Sequence, residues 1–544
     1  MYKQLKPLKI NVISDLHYFA KSLGTSGPEF EKANAKAAND LLHTEEILEA
    51  LKTQLADKNE PEIILVSGDT NYNGEPESHS GVIRLLSELQ EKGKKVYAIT
   101  ATHDFRDNNK TRRFTPEGAE EIDATKRSEL FDLYRRFGPD EAIAVHKESM
   151  SYVVQLCDGY RLFALNDDSN GEGGSGFSDE CFKWITAQVA DAKKNGQFII
   201  PMTHHPMISP SPLYSIIGEH DMMTDAKKRC NQFADMGVPF MLTGHTHMQD
   251  ISYIYSQKGN IFYDITTACP VGYPGVFRTI EVDPANKTVN VGTRTIDVKP
   301  AFDMNGDTLT EHLENKFFGM IKEIVHAAAY DTEKLSRMVT AFSVKPSVIY
   351  RYGWLMRPFA KILTKLKIKH AAKLCKKETG LKKSDWADIA NENVVDFIMT
   401  LVMNLYGGDG KYTPDSAHYK ITVGVCNVVD STVSALRINL KKILKTDGGI
   451  AELVRPLLYN AGISDNFATL TLYPLYSSDN PAPEQAVKDE EIPDTVKKSK
   501  KGKGIITLAV LIAVLLLPVI LLWLLFGFIS NRIRFSKELK SDEQ

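Results

Sequence analysis

The sequence predicts an α/β fold for residues 1–300, an all-α domain for residues 308–475 and a single transmembrane helix over residues 505–529. Three observations support this division. In the first part, short apolar runs typical of strands alternate with amphipathic helical stretches. In the second part, apolar residues recur at helical spacing. The third part is an almost wholly apolar stretch that is long enough to cross a membrane.

The α/β part carries both kinds of element along its length. Between residues 250 and 297, short strand-like runs separated by turn residues predict antiparallel strands that close the domain. The boundary with the second domain is expected near residues 300–307. Helical periodicity predicts helices over residues 34–55, 80–91, 125–137 and 179–194.

The predicted helical domain contains a strongly basic stretch. Between residues 334 and 383 there are fourteen Lys and Arg residues and one acidic residue, Glu378. A solvated basic face explains this stretch. A surface that rests on anionic lipid headgroups is the alternative, which a nearby membrane anchor favours. Binding of nucleic acid or of an anionic substrate is a further alternative.

Three segments are expected at the C-terminal end. Residues 476–504 are polar, charged and proline-containing, which predicts a flexible linker. Residues 505–529 lie in an uncharged segment between Lys503 and Arg532. As a helix they would reach about 37 Å at about 1.5 Å per residue, against a hydrocarbon core of about 30 Å. Residues 530–544 would form a short basic tail.

These segments predict a single-pass protein of the cell membrane with a C-terminal anchor. The first residues are short and basic, and a strand-like run follows them directly, so they do not resemble an export signal. The large N-terminal domain is therefore expected on the cytoplasmic side of the membrane. The helix and the basic face of the helical domain are the predicted points of contact with lipid.

Overall composition narrows the class of protein further. Hydrophobic residues make up 43% of the chain and charged residues 25%, as in an ordinary globular protein. The net charge of -3 gives no reason to expect nucleic-acid binding. The six cysteines are widely spaced and form no CxxC pair, which predicts reduced, mostly buried thiols and no disulfide framework.

Aspartate and histidine residues follow several of the strand-like runs. The carboxyl ends of strands in an open α/β sheet gather at one edge, so these side chains are expected to lie together. Asp and His are common metal ligands, and the pattern therefore predicts a metal-dependent enzyme. In chain order the blocks are Asp15-Leu16-His17, Gly68-Asp69, His103-Asp104, His204-His205 and Gly244-His245-Thr246-His247.

The residue types suit a site with two divalent metal ions. Two such ions about 3.5–4 Å apart can polarise a phosphoryl group, generate a hydroxide and stabilise the leaving oxygen. The pair needs a carboxylate that bridges both ions, and it needs neutral imidazoles that keep the site attractive to phosphate. Asp15, Asp69 and the histidines of the blocks meet both requirements.

The five blocks, in this order and each after a strand, resemble the calcineurin-like metallophosphoesterases over about residues 8–280. The resemblance implies a four-layer α/β/β/α sandwich and two divalent metal ions, such as Mn, Fe or Zn. It implies that a metal-bound hydroxide attacks a phosphoester. It also implies the ligands: Asp15, His17 and His247 for the first metal, Asp69 bridging both metals, and His204 and His245 for the second.

The resemblance also implies a role for the third block and shows one departure from the family pattern. His103 would lie beyond the metals and would protonate the leaving group or stabilise the developing charge, with Asp104 orienting its imidazole. The family normally has an Asn that ligates the second metal immediately before this His, and here that residue is Thr102. A hydroxyl is a poorer ligand and reaches less far, so the second metal is expected to bind more weakly, to recruit water instead, or to be a different ion. His205 is expected to lie outside the set of ligands.

Further polar residues are candidates for substrate contacts. Arg and Asn side chains suit phosphate oxygens and base edges, and several of them follow the third block on what should be a loop near the cleft. A solvated loop is the alternative for these residues. The candidates are Asn71, Asn108, Asn109, Arg112 and Arg113.

Within the superfamily, residues 67–75 and 244–247 look most like the bacterial class III cyclic-nucleotide phosphodiesterases, some of which carry a helical C-terminal domain. This resemblance implies a small phosphoester substrate, with cyclic nucleotides as the expected class. The predicted anchor favours an alternative, hydrolysis of a lipid-linked phosphate or diphosphate at the membrane. A catalytically weak, membrane-tethered binding module is a third alternative, which would be favoured only if further ligands were lost.

Overall fold

Two β-sheets packed face to face form the centre of the N-terminal part. Apolar side chains of both sheets make one cluster between them, including Leu65 of one sheet and Leu242 of the other. The outer face of each sheet packs on helices in a separate apolar cluster. This order of layers confirms the predicted α/β/β/α sandwich. The computed structural model describes residues 4–212, 214, 222–296, 302–340, 350, 357–358, 360–435 and 449–472.

The central strands are buried on both faces. Ile63 and Leu65 face the neighbouring sheet, whereas Ile64 and Val66 face the helices, because successive side chains of a strand point to opposite faces. In chain order the strands are β1 (Leu8–Ile13), β2 (Ile63–Ser67), β3 (Lys95–Ile99), β4 (Lys110–Phe114), β5 (Ala119–Asp123), β6 (Ala144–His146), β7 (Ser151–Cys157), β8 (Tyr160–Ala164), β9 (Phe198–Met202), β10 (Phe240–Thr243), β11 (Asp250–Tyr255), β12 (Ile261–Thr266), β13 (Val276–Asp283), β14 (Thr288–Thr295) and β15 (Phe467–Thr471).

Both sheets mix parallel and antiparallel strands: the parallel strands form one side of the first sheet and the centre of the second. The first sheet has the order β15-β14-β13-β1-β2-β3, and the second has the order β11-β12-β10-β9-β8-β7-β6. Strands β1, β2 and β3 are parallel, as are β8, β9, β10 and β12. The strands predicted over residues 250–297 are present, although β12 pairs in parallel with β10 as well as antiparallel with β11. Strands β4 and β5 form a separate hairpin.

The predicted helix over residues 179–194 is confirmed, but the one over residues 34–55 is interrupted. The backbone amide of Asp40 donates to the carbonyl of Val271 at 2.7 Å, which holds the segment between two helices in a non-helical conformation. The helices are α1 (Pro28–Lys36), α2 (Thr44–Leu55), α3 (Pro76–Glu91), α4 (Arg127–Leu133), α5 (Asp179–Lys194), α6 (Ala226–Asp235), α7 (Leu309–Tyr330), α8 (Thr332–Thr340), α9 (Ile368–Leu374), α10 (Lys376–Thr379), α11 (Val394–Gly407), α12 (Ala417–Ala435) and α13 (Ile450–Leu458), with short 3-10 helices at Lys21–Leu23, Pro139–Glu141 and Lys383–Trp386.

The part that follows the two sheets is helical, as predicted, except at its end. Side chains of α7, α11, α12 and α13 share one apolar cluster. The prediction that residues 308–475 are all-α is wrong for β15, which pairs antiparallel with β14 through partners such as Val289 and Leu470. A pairing between residues so far apart in the chain leaves no local signal in the sequence.

The predicted membrane features fall mostly outside the described residues. This applies to the linker over 476–504, the transmembrane helix over 505–529 and the tail over 530–544. Among the helices of the described residues, none has both the length and the apolar character needed to cross a bilayer. In the described part of the basic stretch, side chains such as Lys361, Lys365 and Lys373 are exposed. The six cysteines are free, and five of them are buried.

Candidate metal centre

The carboxyl ends of five parallel strands bring the predicted ligands together. Strands β1, β2 and β3 lead to Asp15, Asp69 and His103, and strands β9 and β10 lead to His204 and His245. The loops after β1 and β2 are joined by backbone hydrogen bonds, from the Asp15 amide to the Gly68 carbonyl at 3.1 Å and from the His17 amide to the Asp69 carbonyl at 3.0 Å. The predicted clustering of these blocks is therefore confirmed.

Five of the predicted ligands have a left-handed backbone. Such a conformation costs about 1–3 kcal/mol for a residue other than glycine, and it persists only where the surroundings enforce it. Five such conformations occur in one cluster of Asp and His side chains. The surrounding structure therefore holds these side chains in a fixed direction at a cost in backbone energy. The φ angles are 53° for Asp15, 40° for His17, 47° for Asp69, 70° for His245 and 57° for His247.

The first group of possible ligands contains Asp15, His17 and His247. The Nε2 atoms of the two histidines are 2.9 Å apart, and they lie 3.7 Å (His17) and 3.4 Å (His247) from Oδ1 of Asp15. This Oδ1 is buried and has no hydrogen-bond partner among the described residues. Burial would raise the pKa of Asp15, but the two neighbouring histidines hold it well below its ordinary value. An unpartnered carboxylate oxygen facing two imidazole nitrogens fits a divalent cation.

The second group contains Asp69, His204 and His245. Nδ1 of His204 donates to the Ser67 carbonyl at 2.8 Å, which directs Nε2 toward Oδ2 of Asp69 at 3.2 Å and Nδ1 of His245 at 3.3 Å. Burial lowers the pKa of His204, but the carboxylates of Asp69 and Asp15 raise it to about 10. The chain by itself therefore favours a positive charge at this point, and a divalent cation satisfies the same field.

Asp69 lies between the two groups. Its Oδ2 is 3.2 Å from Nε2 of His204 and 4.0 Å from Nε2 of His17, which belongs to the first group. Burial would raise the pKa of this carboxyl, whereas the charges of His204 and His103 hold it well below its usual range. A carboxylate that bridges two metal ions must lie within reach of both groups of ligands, and Asp69 does.

His103 is fixed at both ends. Its backbone amide donates to Oδ1 of Asp69 at 2.7 Å, and its Nδ1 donates to the Tyr72 carbonyl at 2.8 Å. A carbonyl oxygen only accepts, so Nδ1 carries a proton and Nε2 is the atom that can exchange one with a substrate. This Nε2 lies 4.0 Å from Oδ2 of Asp69, and the ring meets the edge of His17 at 4.5 Å between centroids.

The prediction that Asp104 orients the His103 imidazole is wrong, because Nδ1 of His103 bonds to Tyr72. Asp104 is buried, and its carboxyl oxygens accept hydrogen bonds from the backbone amides of Asn71 at 2.8 Å and Ala101 at 2.7 Å. It therefore supports the loops that follow β2 and β3. Burial, with the nearby charge of Asp69, raises the pKa of Asp104 to about 7.

A buried ring of hydrogen bonds behind Asp104 was not predicted. Oγ1 of Thr70 lies 2.6 Å from Oδ1 of Asp104 and 2.7 Å from the Tyr134 hydroxyl. His79 joins the ring, with Nδ1 at 2.8 Å from the Tyr134 hydroxyl and Nε2 donating to the Asp104 carbonyl at 2.8 Å. Burial lowers the pKa of His79 to about 4, so its imidazole is neutral. Only the fold shows that α3 and α4 contribute to this support.

Asp167 is a second supporting residue that the sequence did not reveal. Its two carboxylate oxygens accept hydrogen bonds from the backbone amides of His204 at 3.1 Å and His205 at 3.0 Å, and Oδ2 lies 3.1 Å from Nδ1 of His205. His205 is absent from the possible metal groups of the described residues, in line with its predicted place outside the ligand set. A carboxylate just after a buried strand, β8, was the available signal.

Thr102, in the position of the usual Asn, is half-buried. Its hydroxyl makes no hydrogen bond to any described residue. The other three possible ligands of the second metal, Asp69, His204 and His245, lie close together and do not depend on Thr102. The prediction of a weaker second site remains a prediction.

The five predicted substrate contacts lie in two places, Asn71 in the turn after β2 and the other four on the loop and hairpin that follow β3. Asn71 is buried, and its Oδ1 accepts from the backbone amides of Asn73 and Gly74 at 3.0 and 2.8 Å, so its prediction is wrong. Arg112 and Arg113 lie on the β4–β5 hairpin, Arg112 over the Phe114 ring and Arg113 paired with Glu120. Asn108 and Asn109 are exposed, and Asn109 borders a cavity of about 800 Å³ together with His79 and Asp123.

The fold and these two groups of ligands define a metal-dependent hydrolase of phosphoesters. Residues 8–249 match the family model of the calcineurin-like phosphoesterases. The family uses a dinuclear centre of divalent metal ions, and the described groups of Asp and His could hold such a pair. Among curated proteins, no significant match to the chain is found.

Several solved structures are similar to part of the chain. A dimetal phosphatase from Danio rerio is 11% identical, with 53% of this chain and 96% of that chain covered and a TM-score of 0.37. GAP50, the anchor in the inner membrane complex of Plasmodium, is 10% identical, with 54% and 87% covered and a TM-score of 0.29. The sulfate thiohydrolase SoxB of Thermus thermophilus is 12% identical, with 58% and 60% covered and a TM-score of 0.27. Likenesses of this strength carry no argument about substrate.

Proposed function

We propose that the chain is a phosphodiesterase that acts on cyclic nucleotides. The main support for a hydrolytic centre is the position of Asp69 between the two groups of ligands. Its Oδ2 lies within 4.0 Å of His17 in the first group and of His204 in the second group. Asp15, His17 and His247 would hold the first metal ion, His204 and His245 the second, and Asp69 would contact both.

Bound divalent ions would supply Lewis acidity, activating water and neutralising charge on the phosphoryl oxygens. The chain supplies the other parts of the reaction. Nδ1 of His103 is committed to the Tyr72 carbonyl, so a proton for the leaving oxygen would come from Nε2. Asp69 holds the backbone of His103 and thereby keeps this proton donor beside the ligands. Asp167 and Asp104 hold the surrounding loops.

The substrate class rests on the resemblance of residues 67–75 and 244–247 to bacterial class III cyclic-nucleotide phosphodiesterases. A second candidate is a lipid-linked phosphate or diphosphate, which the apolar stretch over residues 505–529 favours. We also propose that this stretch anchors the chain in the cell membrane with the hydrolase on the cytoplasmic side. The binding-module alternative is disfavoured, because the six other predicted ligands are present and lie together.

The test is a comparison of substrates by the full-length chain in detergent with Mn²⁺. The substrates are cyclic AMP, bis-p-nitrophenyl phosphate, p-nitrophenyl phosphate and a short-chain polyprenyl diphosphate. We expect turnover of cyclic AMP and the chromogenic diester, with less turnover of the monoester. Preferred turnover of the polyprenyl diphosphate would select the second candidate. No turnover of any substrate, with two metal ions bound per chain, would overturn the hydrolase.

Two variants make this comparison specific. Asp69→Asn removes the charge between the two groups of ligands while keeping the side-chain size, and it should abolish turnover. His418→Gln is the matched control, because His418 contacts Glu392 in the helical part of the chain, outside the metal groups. Turnover that survives in Asp69→Asn would be due to a contaminating hydrolase.

A further inference from the structure

A third group of possible metal ligands lies outside the centre described above. Oδ2 of Asp40 is 2.9 Å from Nδ1 of His43 and 2.7 Å from Nε2 of His312. The three atoms lie within 4.8 Å of one another. Asp40 and His43 belong to the segment between α1 and α2, whereas His312 lies in the first turn of α7. We propose that these three residues form a zinc-binding site that joins the two-sheet part of the chain to the helical part.

The three side chains are held in place before any ion binds. Asp40 is buried, with its backbone amide bonded to the Val271 carbonyl and its own carbonyl accepting from the Thr44 hydroxyl at 2.8 Å. The His43 ring stacks on Phe302 at 3.9 Å between centroids, and the His312 ring meets the edge of Phe302 at 5.2 Å. Because these side chains are already ordered, metal binding would cost less conformational entropy.

The donor set selects the ion. Two imidazole nitrogens and one carboxylate oxygen suit Zn²⁺, whereas Ca²⁺ and Mg²⁺ prefer sites built from oxygen alone. The imidazoles of His43 and His312 are 22% and 23% exposed, so water can reach the site and complete a tetrahedral set of four ligands. The arrangement therefore offers three protein ligands and one open position.

The charges around the site limit its affinity but leave the ligand atoms accessible. Nζ of Lys316 lies 3.9 Å from Oδ1 of Asp40, the oxygen that the histidines do not contact. Burial would raise the pKa of Asp40, but hydrogen bonds from His312 and His43 lower it, so the carboxylate is ionised and ready to bind a cation. Because Lys316 compensates part of this charge, the site should bind zinc more weakly than a pair of carboxylates would.

Zinc binding would replace two hydrogen bonds. In the chain alone, Nδ1 of His43 and Nε2 of His312 each donate a proton to the carboxylate. With zinc bound, the proton of each ring would be on its other nitrogen, so that the nitrogen facing Asp40 presents a lone pair to the metal.

The test counts zinc ions in the full-length chain and in an amide variant. In the double variant His43→Asn and His312→Gln, the amide groups lie close to the replaced nitrogens and can still donate to Asp40, but they are poor zinc ligands. After removal of metal and dialysis against Zn²⁺ alone, the double variant should bind one equivalent fewer per chain than the unaltered chain. His418→Gln, which alters a histidine–carboxylate pair elsewhere, should leave the count unchanged.

The test compares the zinc bound per chain by the unaltered chain and by the double variant. This difference does not depend on whether the chain is a hydrolase, because any failure to load the dinuclear centre lowers both numbers equally. Equal counts in the unaltered chain and the double variant would overturn the proposal and leave Asp40, His43 and His312 as a hydrogen-bonded contact. If the double variant does not fold, the proposal can be tested on crystals of the unaltered chain grown with Zn²⁺. Anomalous scattering then shows whether zinc is bound at the site. A peak between the three side chains supports the proposal, and no peak there overturns it.

Discussion

The backbone amide of His103 donates a 2.7 Å hydrogen bond to Oδ1 of Asp69, the carboxylate that lies between the two groups of metal ligands. The imidazole of the same residue is fixed at its other end by the Tyr72 carbonyl. The distance between the candidate proton donor and the candidate bridging ligand is thus set by two short contacts. A change in the Tyr72 contact should therefore affect protonation of the leaving group without removing the metals.

His103→Gln separates proton donation from metal binding. Glutamine can keep the hydrogen bond to Tyr72, but its amide is not an acid and cannot transfer a proton to the leaving group at neutral pH. We expect kcat for cyclic AMP, whose leaving oxygen is strongly basic, to fall about 10²–10⁴-fold. For bis-p-nitrophenyl phosphate the fall should be much smaller, because p-nitrophenolate leaves without a proton. Metal content should not change, and an equal loss on both substrates would contradict this role.

Thr102→Asn tests the departure from the family pattern. An amide oxygen reaches further than a hydroxyl and is a better ligand, so the second Mn²⁺ should bind more tightly, by on the order of tenfold. Titration of the metal-free chain with Mn²⁺, followed by calorimetry, measures this affinity. Thr100→Asn, at the end of the same strand but outside the ligand position, is the control. Unchanged affinity in Thr102→Asn would show that this position does not face the second metal.

Asp167→Asn tests the support of His204. The asparagine keeps the shape but can offer only one oxygen to the two backbone amides that Asp167 now binds. Loss of such support typically weakens metal binding about 10–100-fold, and we expect this effect on the second metal. Asp168→Asn is the matched control, since Asp168 pairs with Arg127. An equal effect of both variants would assign the loss to general destabilisation.

The hydrogen-bonded ring behind Asp104 predicts a dependence of stability on pH. Burial lowers the pKa of His79 from 6.5 to about 4. Between these values the unfolded chain binds the proton and the folded chain does not, so this contribution to stability is complete above pH 6.5 and is lost as the pH falls toward 4. The loss amounts to about 3 kcal/mol.

His79→Gln removes this titration. The melting temperature of the unaltered chain, compared with that of the variant, should therefore decrease as the pH is lowered from 7 to 4. Asp104 is present in both chains, so its own titration largely cancels in the comparison. His326→Gln, at an exposed position, is the control. A constant difference in melting temperature across this range would show that His79 is not buried in its neutral form.

The metal centre could be predicted from the sequence because its signals are local. Apolar runs such as Ile63–Ser67 predict buried strands, and the Asp or His that follows each run marks the carboxyl end of a parallel strand, here in two packed sheets. The supporting residues could not be predicted in this way. Thr70, His79 and Tyr134 meet Asp104 only because α3 and α4 pack beside the strands, and no spacing in the sequence brings them together.

Two of the failed predictions, for Asn71 and for a continuous helix over residues 34–55, have a common physical cause. Asn71 has the residue type of a substrate contact, but its side chain accepts hydrogen bonds from its own turn, and local turn bonding of this kind competes with any external ligand. The helix over residues 34–55 has the right periodicity, but the hydrogen bond from the Asp40 amide to the Val271 carbonyl interrupts it. In both cases a hydrogen bond from a backbone amide determined the observed structure.

The pairing of β15 with β14 changes the status of the whole helical part. Two neighbouring strands of one sheet are separated in the chain by everything between Thr295 and Phe467, so the helices are an insertion between adjacent strands of the hydrolase. Cutting the chain at residue 300 would leave β14 as an exposed edge with unpaired backbone groups, a known cause of aggregation. A self-contained hydrolase would instead require the segment up to Phe467 to be replaced by a short connection that keeps β15.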